Sequence, residues 1–404
     1  MIQNAAKNMP GGVAAPRGFT AAGVAAGIKN GKKDVALVVS DRPAAAAGVF
    51  TTNRVKAFPV LVSMRHLEDG SARAVVANSG NANACNGARG ETDALAMTSE
   101  AARLLGIPAD QVLVASTGVI GQPMPIDKVL DGIRRAAAKL NPRGGSDAAA
   151  AIMTTDTAPK EETVTFELDG CAVTVGGMAK GSGMIHPNMA TMLAFVTTDA
   201  AIAPGLLHQA LKQAADRTFN MITVDGDTST NDCILALANG AAGNPAIEAE
   251  GPAYNAFCAA LETVCRKLAV AVARDGEGAT KLLEVRVLGA ATEEDARLAA
   301  KSVAGSSLVK AAVFGADANW GRVLCAAGYS GAAFDPGTVD IYLNEIKVAE
   351  NGGALPFDEE AAALALGQKE VVFTIDFKQG PGRATAWGCD LTYDYVRING
   401  SYRT

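Results

Sequence analysis

The sequence predicts an α+β protein, a layered α/β sandwich in which sheets pack against helices, and three observations predict it. Short β-type runs, apolar or alternating and many of them bounded by Gly, Asn or Asp, recur along the chain. Amphipathic helical patterns lie between them. The two kinds of element mix without a strict strand–helix–strand rhythm, which argues for sheets packed on helices rather than a doubly wound parallel sheet.

In chain order, the β-type runs fall at 35–40, 59–63, 74–78, 112–116, 163–168, 172–175, 192–197, 282–288, 339–343, 370–376 and 384–390. The helical patterns fall at 92–105, 126–140, 204–217, 254–274 and 293–302. No fixed-period repeat is visible. The loosest stretch, 239–252, is rich in Gly, Ala and Pro and reads as a surface loop rather than a boundary between lobes. With 404 residues, 49% hydrophobic and 19% charged, the chain can fill a sizeable core, in two lobes or one large layered domain.

The formal net charge is −6 and no Lys/Arg-rich stretch occurs. That leaves no electrostatic case for nucleic acid or an anionic membrane as a partner. No run of about 18 apolar residues marks a membrane span, and residues 1–19 carry no apolar core of signal-peptide length. Seven cysteines are scattered at Cys85, Cys171, Cys233, Cys258, Cys265, Cys325 and Cys389, without a CxxC pair. An odd, scattered set argues against a disulfide framework and for a reducing, cytoplasmic setting; each is expected to be a small buried apolar residue.

The most unusual stretch is 176–195. Gly176, Gly177, Gly181, Gly183 and Pro187 crowd the approach to Thr191, and an apolar, strand-like run follows at once. A hydroxyl there can attack the carbonyl of Ala190, an N→O acyl shift that water resolves. The cut frees the α-amine of Thr191, whose ordinary pKa is about 7.7–8.0, and such an amine can activate its own hydroxyl as a nucleophile. By spacing alone, an ordinary turn-to-strand threonine is the commoner reading. A phosphate loop is excluded because Lys180 precedes Gly181 instead of following it. Lys180 reads as a cation for a substrate carboxylate, with a surface lysine as the plain alternative.

Thr117 and Gly118 follow the apolar run 112–114 in a Ser-Thr-Gly-Val-Ile-Gly segment. A glycine-flanked strand end can aim N–H groups at an oxyanion, although a plain strand-to-helix loop has the same pattern. Polar clusters at 78–83, 154–157, 223–232 and 274–280 each read alone as turns. The 223–232 cluster lacks the Gly and terminal Glu of an EF-hand, which excludes a calcium loop. Three histidines, His66, His186 and His208, form no zinc-hydrolase pattern, and no Gly-x-Ser-x-Gly elbow occurs. His186 lies near the proposed cut and could assist it, with a structural role in the turn as the plainer reading.

Together these motifs resemble the ornithine acetyltransferase family, also called glutamate N-acetyltransferases or ArgJ-type proteins of arginine biosynthesis. The likeness runs from the Gly-Phe-Thr-Ala-Ala-Gly-Val of 18–24 to the last residue. The segment 188–193, Asn-Met-Ala-Thr-Met-Leu, resembles the family's self-cleavage site, and 117–121 is similar to its oxyanion segment. The resemblance implies a cut between Ala190 and Thr191, giving an N-terminal chain of residues 1–190 and a C-terminal chain of residues 191–404. It implies Thr191 as nucleophile, Thr117 and Gly118 at the oxyanion, and Thr154, Lys180, Thr191, Glu277, Asn399 and Thr404 as substrate contacts. It also implies the fold of self-processing aminopeptidases (the ArgJ/DmpA-like fold), no metal and no cofactor, and a heterotetramer of two chains of each kind. The substrates implied are N2-acetylornithine and glutamate, with acetyl-CoA a further donor in some members. Two rival readings are a Thr- or Ser-nucleophile amidohydrolase on the same fold, for which water would beat glutamate as acceptor, and a non-enzymatic amino-acid-binding protein, which would stay uncut.

Overall fold

Strands that are apolar at successive positions need cover on both faces, and the larger sheet of this protein has it. The computed structural model describes residues 11–186 and 192–401. Its first sheet holds β1 (Phe19–Val24), β2 (Val35–Phe50), β3 (Ser71–Asn81), β4 (Val112–Val119), β5 (Lys160–Leu168), β6 (Cys171–Lys180), β7 (Leu193–Thr198) and β8 (Cys233–Ala238). The order is β4-β3-β2-β8-β7-β6-β5, with β1 paired to β2. The β3–β4 and β7–β8 pairs are parallel and the others antiparallel. The second sheet holds β9 (Leu282–Ala290), β10 (Asp340–Leu343), β11 (Ile346–Glu350), β12 (Gly353–Ala354), β13 (Glu370–Asp376) and β14 (Gly382–Cys389), in the order β12-β11-β10-β13-β9-β14.

Eleven helices appear among the described residues: α1 (Phe58–His66), α2 (Ala88–Leu105), α3 (Ile126–Ala137), α4 (Gly145–Ile152), α5 (Pro204–Arg217), α6 (Pro252–Arg274), α7 (Glu293–Gly305), α8 (Ser307–Phe314), α9 (Trp320–Gly328), α10 (Glu359–Leu366) and α11 (Tyr393–Ser401). The period of two along β2 sorts them onto faces. Val35, Leu37 and Val39 pack with Met97 of α2 and Val129 and Ile133 of α3. Ala36 and Val38 point the other way, into a cluster with Ala149 and Ile152 of α4. On β7, Leu193 and Phe195 join the α4 cluster. Ala194 and Val196 join the largest core, which takes in Leu211 of α5 and Phe257, Leu261 and Leu268 of α6. That core continues through Leu283, Val285 and Val287 of β9 to Val303 of α7. Helix α6 contacts β5 and β6 of one sheet and β9 and β14 of the other. The result is the layered α+β architecture expected.

Three local expectations are corrected. The run 59–63 is helical, within α1, not a strand. Pro59 occupies the first turn, where its missing N–H costs nothing, and Pro59, Val60, Val62 and Ser63 form a buried helical face. Residues 176–180 extend strand β6 beyond 175. Gly176 is needed there because a Cβ would stand 1.9 Å from the Gly12 carbonyl oxygen. The cysteines are all free, but only Cys233, Cys265 and Cys389 are fully buried, and Cys85 and Cys325 are exposed. The stretch 239–251 is the loop joining β8 to α6, as expected.

Phe257 is fully buried where α6 meets the first sheet's core. Phe257→Ala is expected to lower stability by about 3–5 kcal/mol, read as a shift in the urea midpoint.

Candidate active site

One cleft is lined by Thr117, Gly118, Thr154, Lys180 and Glu277, five of the residues that the sequence singles out. Met192 and Leu193 line it too. Thr191, Ala190 and Thr404 lie outside the described residues. The chain on either side of 187–191 is firmly placed. On one side, Met184 and Ile185 donate their N–H groups to Asp225 at 2.7 and 2.8 Å, and Ile185 accepts from Val224 N at 2.7 Å. On the other, the Met192 carbonyl accepts from Cys233 N at 3.0 Å, and Leu193 pairs with Lys180. Asp225 thus clamps backbone, which is the use the fold makes of the 223–232 cluster.

The end of β4 supplies Thr117 and Gly118. Beside it, the parallel β3–β4 register becomes irregular at Gly80 and Asn81. Gly118 has φ +129°, and a Cβ there would meet the Gly80 carbonyl carbon at 2.4 Å, so only glycine fits. The asparagine cluster fixes this segment. Ser116 Oγ donates to Asn78 Oδ1 at 2.5 Å, Asn78 Nδ2 donates to the Asn81 carbonyl at 2.9 Å, and Asn231 Nδ2 donates to the Ser116 carbonyl at 2.8 Å. A backbone N–H at a strand end held in this way can serve a developing oxyanion.

Thr154 and Lys180 meet around a residue that sequence reasoning did not select, Asp156. Its carboxylate accepts from Gly181 N (2.7 Å), Lys160 Nζ (2.7 Å) and Thr154 N (2.9 Å). Burial opposes its ionisation. The charges of Lys180 and Lys160 and the hydrogen bonds from Lys160 and Gly181 outweigh that and bring its pKa down to about 2. Lys160 also pairs with Asp275 at 2.6 Å. Lys29 Nζ donates to the Met153 carbonyl at 2.6 Å, holding the chain just before Thr154.

Lys180 is buried, and burial pulls its pKa down against the opposing pull of Asp156, Asp232 and Glu277. No hydrogen bond or ion pair to a described residue engages its ammonium, which leaves it for an anion in the cleft. Asp232, a second residue missed, lines the same cleft. Burial pushes its carboxyl well up, despite Lys180 and hydrogen bonds with Ser229, and its Oδ2 is buried without a partner. Both missed acids lie inside polar clusters the sequence displays, at 154–157 and 223–232; their burial was the missing signal.

Glu277 sits on the turn after α6, its N–H donating to the Ser182 carbonyl at 2.9 Å. Its carboxylate packs where a Cβ on Gly183 would fall, 2.4 Å from Oε2, which explains the glycine. Asn399 of α11 donates Nδ2 to Glu277 Oε2 at 2.8 Å. Asn399 therefore reaches the cleft through Glu277 and does not line it. His186 lies outside this cleft, its Nδ1 3.0 Å from Thr223 Oγ1.

A fold and cleft of this kind define a family. The profile of the ArgJ family matches residues 20–404, and the chain belongs to that family. It is 63% identical over 399 residues to the arginine biosynthesis bifunctional protein ArgJ of Symbiobacterium thermophilum, covering 98% of this chain and 99% of that one. It is 56% identical over 400 residues to the protein of the same description in Caldanaerobacter subterraneus, covering 98% and 99%. Among solved structures, it resembles the arginine biosynthesis bifunctional protein of Bacillus halodurans at 50% identity and a TM-score of 0.51, over 52% of this chain and 100% of that chain.

Asp156→Asn is expected to cost about 3 kcal/mol, since it strips a buried lysine of one partner. The pH dependence gives a second check. A carboxyl depressed to about 2 contributes stability that is present above its unfolded pKa of 3.8 and is lost as pH falls through 2. The wild type should lose about 2 kcal/mol from this group between pH 4 and 2; thermal unfolding of Asp156→Asn across that range should lack this component.

Proposed function

We propose that this protein moves an acetyl group from N2-acetylornithine to glutamate, a step of arginine biosynthesis, by way of an acetyl ester on Thr191. The observation that carries the reading is that Thr117, Gly118, Thr154, Lys180 and Glu277 share one cleft with Met192 and Leu193, the two residues that follow Thr191. High identity to ArgJ proteins over nearly the whole chain supports the same activity.

The chain first cuts itself between Ala190 and Thr191. The half-length match to the Bacillus halodurans chain supports such a division, because a cut there leaves two chains that are each about half of this protein. The Thr191 α-amine then takes the hydroxyl proton while the oxygen attacks the acetyl carbonyl. Thr117 and the Gly118 amide receive the oxyanion. The amine returns the proton to the leaving nitrogen of ornithine, and the acetyl group stays on the threonine oxygen. Glutamate reverses these steps: its amine attacks the ester, its proton passes to the Thr191 base, and N-acetylglutamate leaves. One amide replaces a similar amide, so no ATP is needed. Lys180 takes the substrate carboxylate, and Glu277, braced by Asn399, takes an ammonium. Thr154 and Thr404 complete the contacts.

Relatives described as bifunctional support a second donor for the same acetyl-enzyme, and acetyl-CoA is the one proposed here. The processed protein is proposed to be a cytoplasmic heterotetramer of two N-terminal and two C-terminal chains, working without a cofactor.

Radiolabelled acetyl on N2-acetylornithine should appear on glutamate far faster than in free acetate. Preferential release to water would instead make the protein an amidohydrolase. Glu277→Gln should cut kcat/KM at least tenfold, and unchanged KM and kcat for both substrates would remove Glu277 from the mechanism.

A further inference from the structure

Helix α7 turns Arg297 and Lys301, one turn apart, into a second cavity of about 540 Å3. His186 lies on the opposite wall, and Met221 and Leu298 supply apolar surface. Positive charge gathers here. Burial, and after it the charge of Arg297, brings Lys301 down to about 8. Burial, and after it the charge of Lys301, brings His186 down to about 4. Asp216 and Glu294 line the cavity too, and the charge of Asp225 acts on His186. Asp216 is already paired with Lys212 at 2.9 Å and accepts from Asn220 Nδ2 at 2.9 Å. Glu294 is exposed on the same helix as Arg297. Arg297 Nε is buried and has no hydrogen-bond partner, and no ion pair to a described residue engages its guanidinium.

A buried guanidinium Nε–H without an acceptor leaves its desolvation unrepaid. Arg is also the side chain best shaped to receive a carboxylate through two parallel N–H groups. We propose that this cavity is a binding site, separate from the catalytic cleft, for a small organic carboxylate, with the carboxylate on Arg297, beside Lys301, and the hydrocarbon part against Met221 and Leu298. A cavity of this size lies within the roughly 300–1,000 Å3 of small-molecule sites. The site is one residue away from the cleft along the chain: Met184 and Ile185 line the cleft, and His186 lines this cavity. Thr228 Oγ1, on the cavity wall, donates to the His186 carbonyl at 2.8 Å, so both walls share one piece of backbone.

The chain has three histidines, which makes the His186 imidazole a local reporter. The processed protein, labelled with 15N-histidine, would be titrated with glutarate, with glutamate and with inorganic phosphate at constant ionic strength, and His186→Gln would identify the signal. The proposal expects a saturable shift of the His186 ring signals with glutarate or glutamate, weakened at least tenfold in Arg297→Gln and retained more strongly in Arg297→Lys. Unmoved signals would overturn it. So would an equal shift in Arg297→Gln, which would mean a ligand acting from the catalytic cleft, and so would a response to phosphate alone. An unchanged amide spectrum of Arg297→Gln establishes that any loss is local.

Discussion

The site depends on the register of three adjacent strands, β6, β7 and β8. Lys180 pairs with Leu193, and Leu193 pairs in turn with Cys233. Every residue of β7 is buried, with alternate side chains in two different cores. A slip of one residue would exchange those faces, so the register is strongly specified. That ladder sets the end of β6, where Lys180 lies, beside the start of β7, and it sets Met192 against Cys233. Asn231, two residues before Cys233, then reaches across to the Ser116 carbonyl and ties the Thr117–Gly118 segment to the same frame.

Buried charge is the second constraint. Asp156, Lys160, Lys180, Asp232 and Glu277 are all largely withdrawn from water. Such groups persist only when paired or hydrogen-bonded. Asp156 and Lys160 satisfy one another, and Gly181 and Thr154 fill the remaining places on the carboxylate. Lys180 and the Oδ2 of Asp232 are left without such partners among the described residues. That unpaired polarity faces the cleft, where a zwitterionic substrate brings charges of its own. The Arg297 cavity shows the same signature on a smaller scale, which is why it reads as a site rather than as packing.

Much of this was legible in the sequence, for reasons that differ from element to element. Helix α5 was marked at both ends, by Pro204 and Arg217, and long amphipathic α6 by its period. The run 59–63 misled because a short apolar stretch has no period long enough to separate strand from helix. Strand β8, six buried residues, was missed for the same reason. The β-type run ended at 175 because the glycines at 176 and 177 carry no strand signal, yet they sit in the strand, pressed against neighbouring backbone and side chains. At the site, Thr117, Gly118 and Lys180 stood out by their own pattern, each with a plainer alternative, while Thr154 and Glu277 looked like parts of turns until the family resemblance gave them roles. Asp156 and Asp232 escaped because burial and partners, which give them their roles, come from residues far away in sequence. Asn399 was found, but its route to the cleft through Glu277 belongs to the three-dimensional docking of α11.

Acetyl transfer as proposed requires residue 191 to become a new N-terminus and to carry the acetyl group. Intact mass spectrometry with N-terminal sequencing, on the wild type and on Thr191→Ala, tests it directly. The wild type is expected to give two fragments of nearly equal size, the second beginning at Thr191 and gaining one acetyl mass with N2-acetylornithine, and Thr191→Ala a single uncut chain. A full-length, unacetylated wild-type chain that still transfers acetyl groups would contradict it.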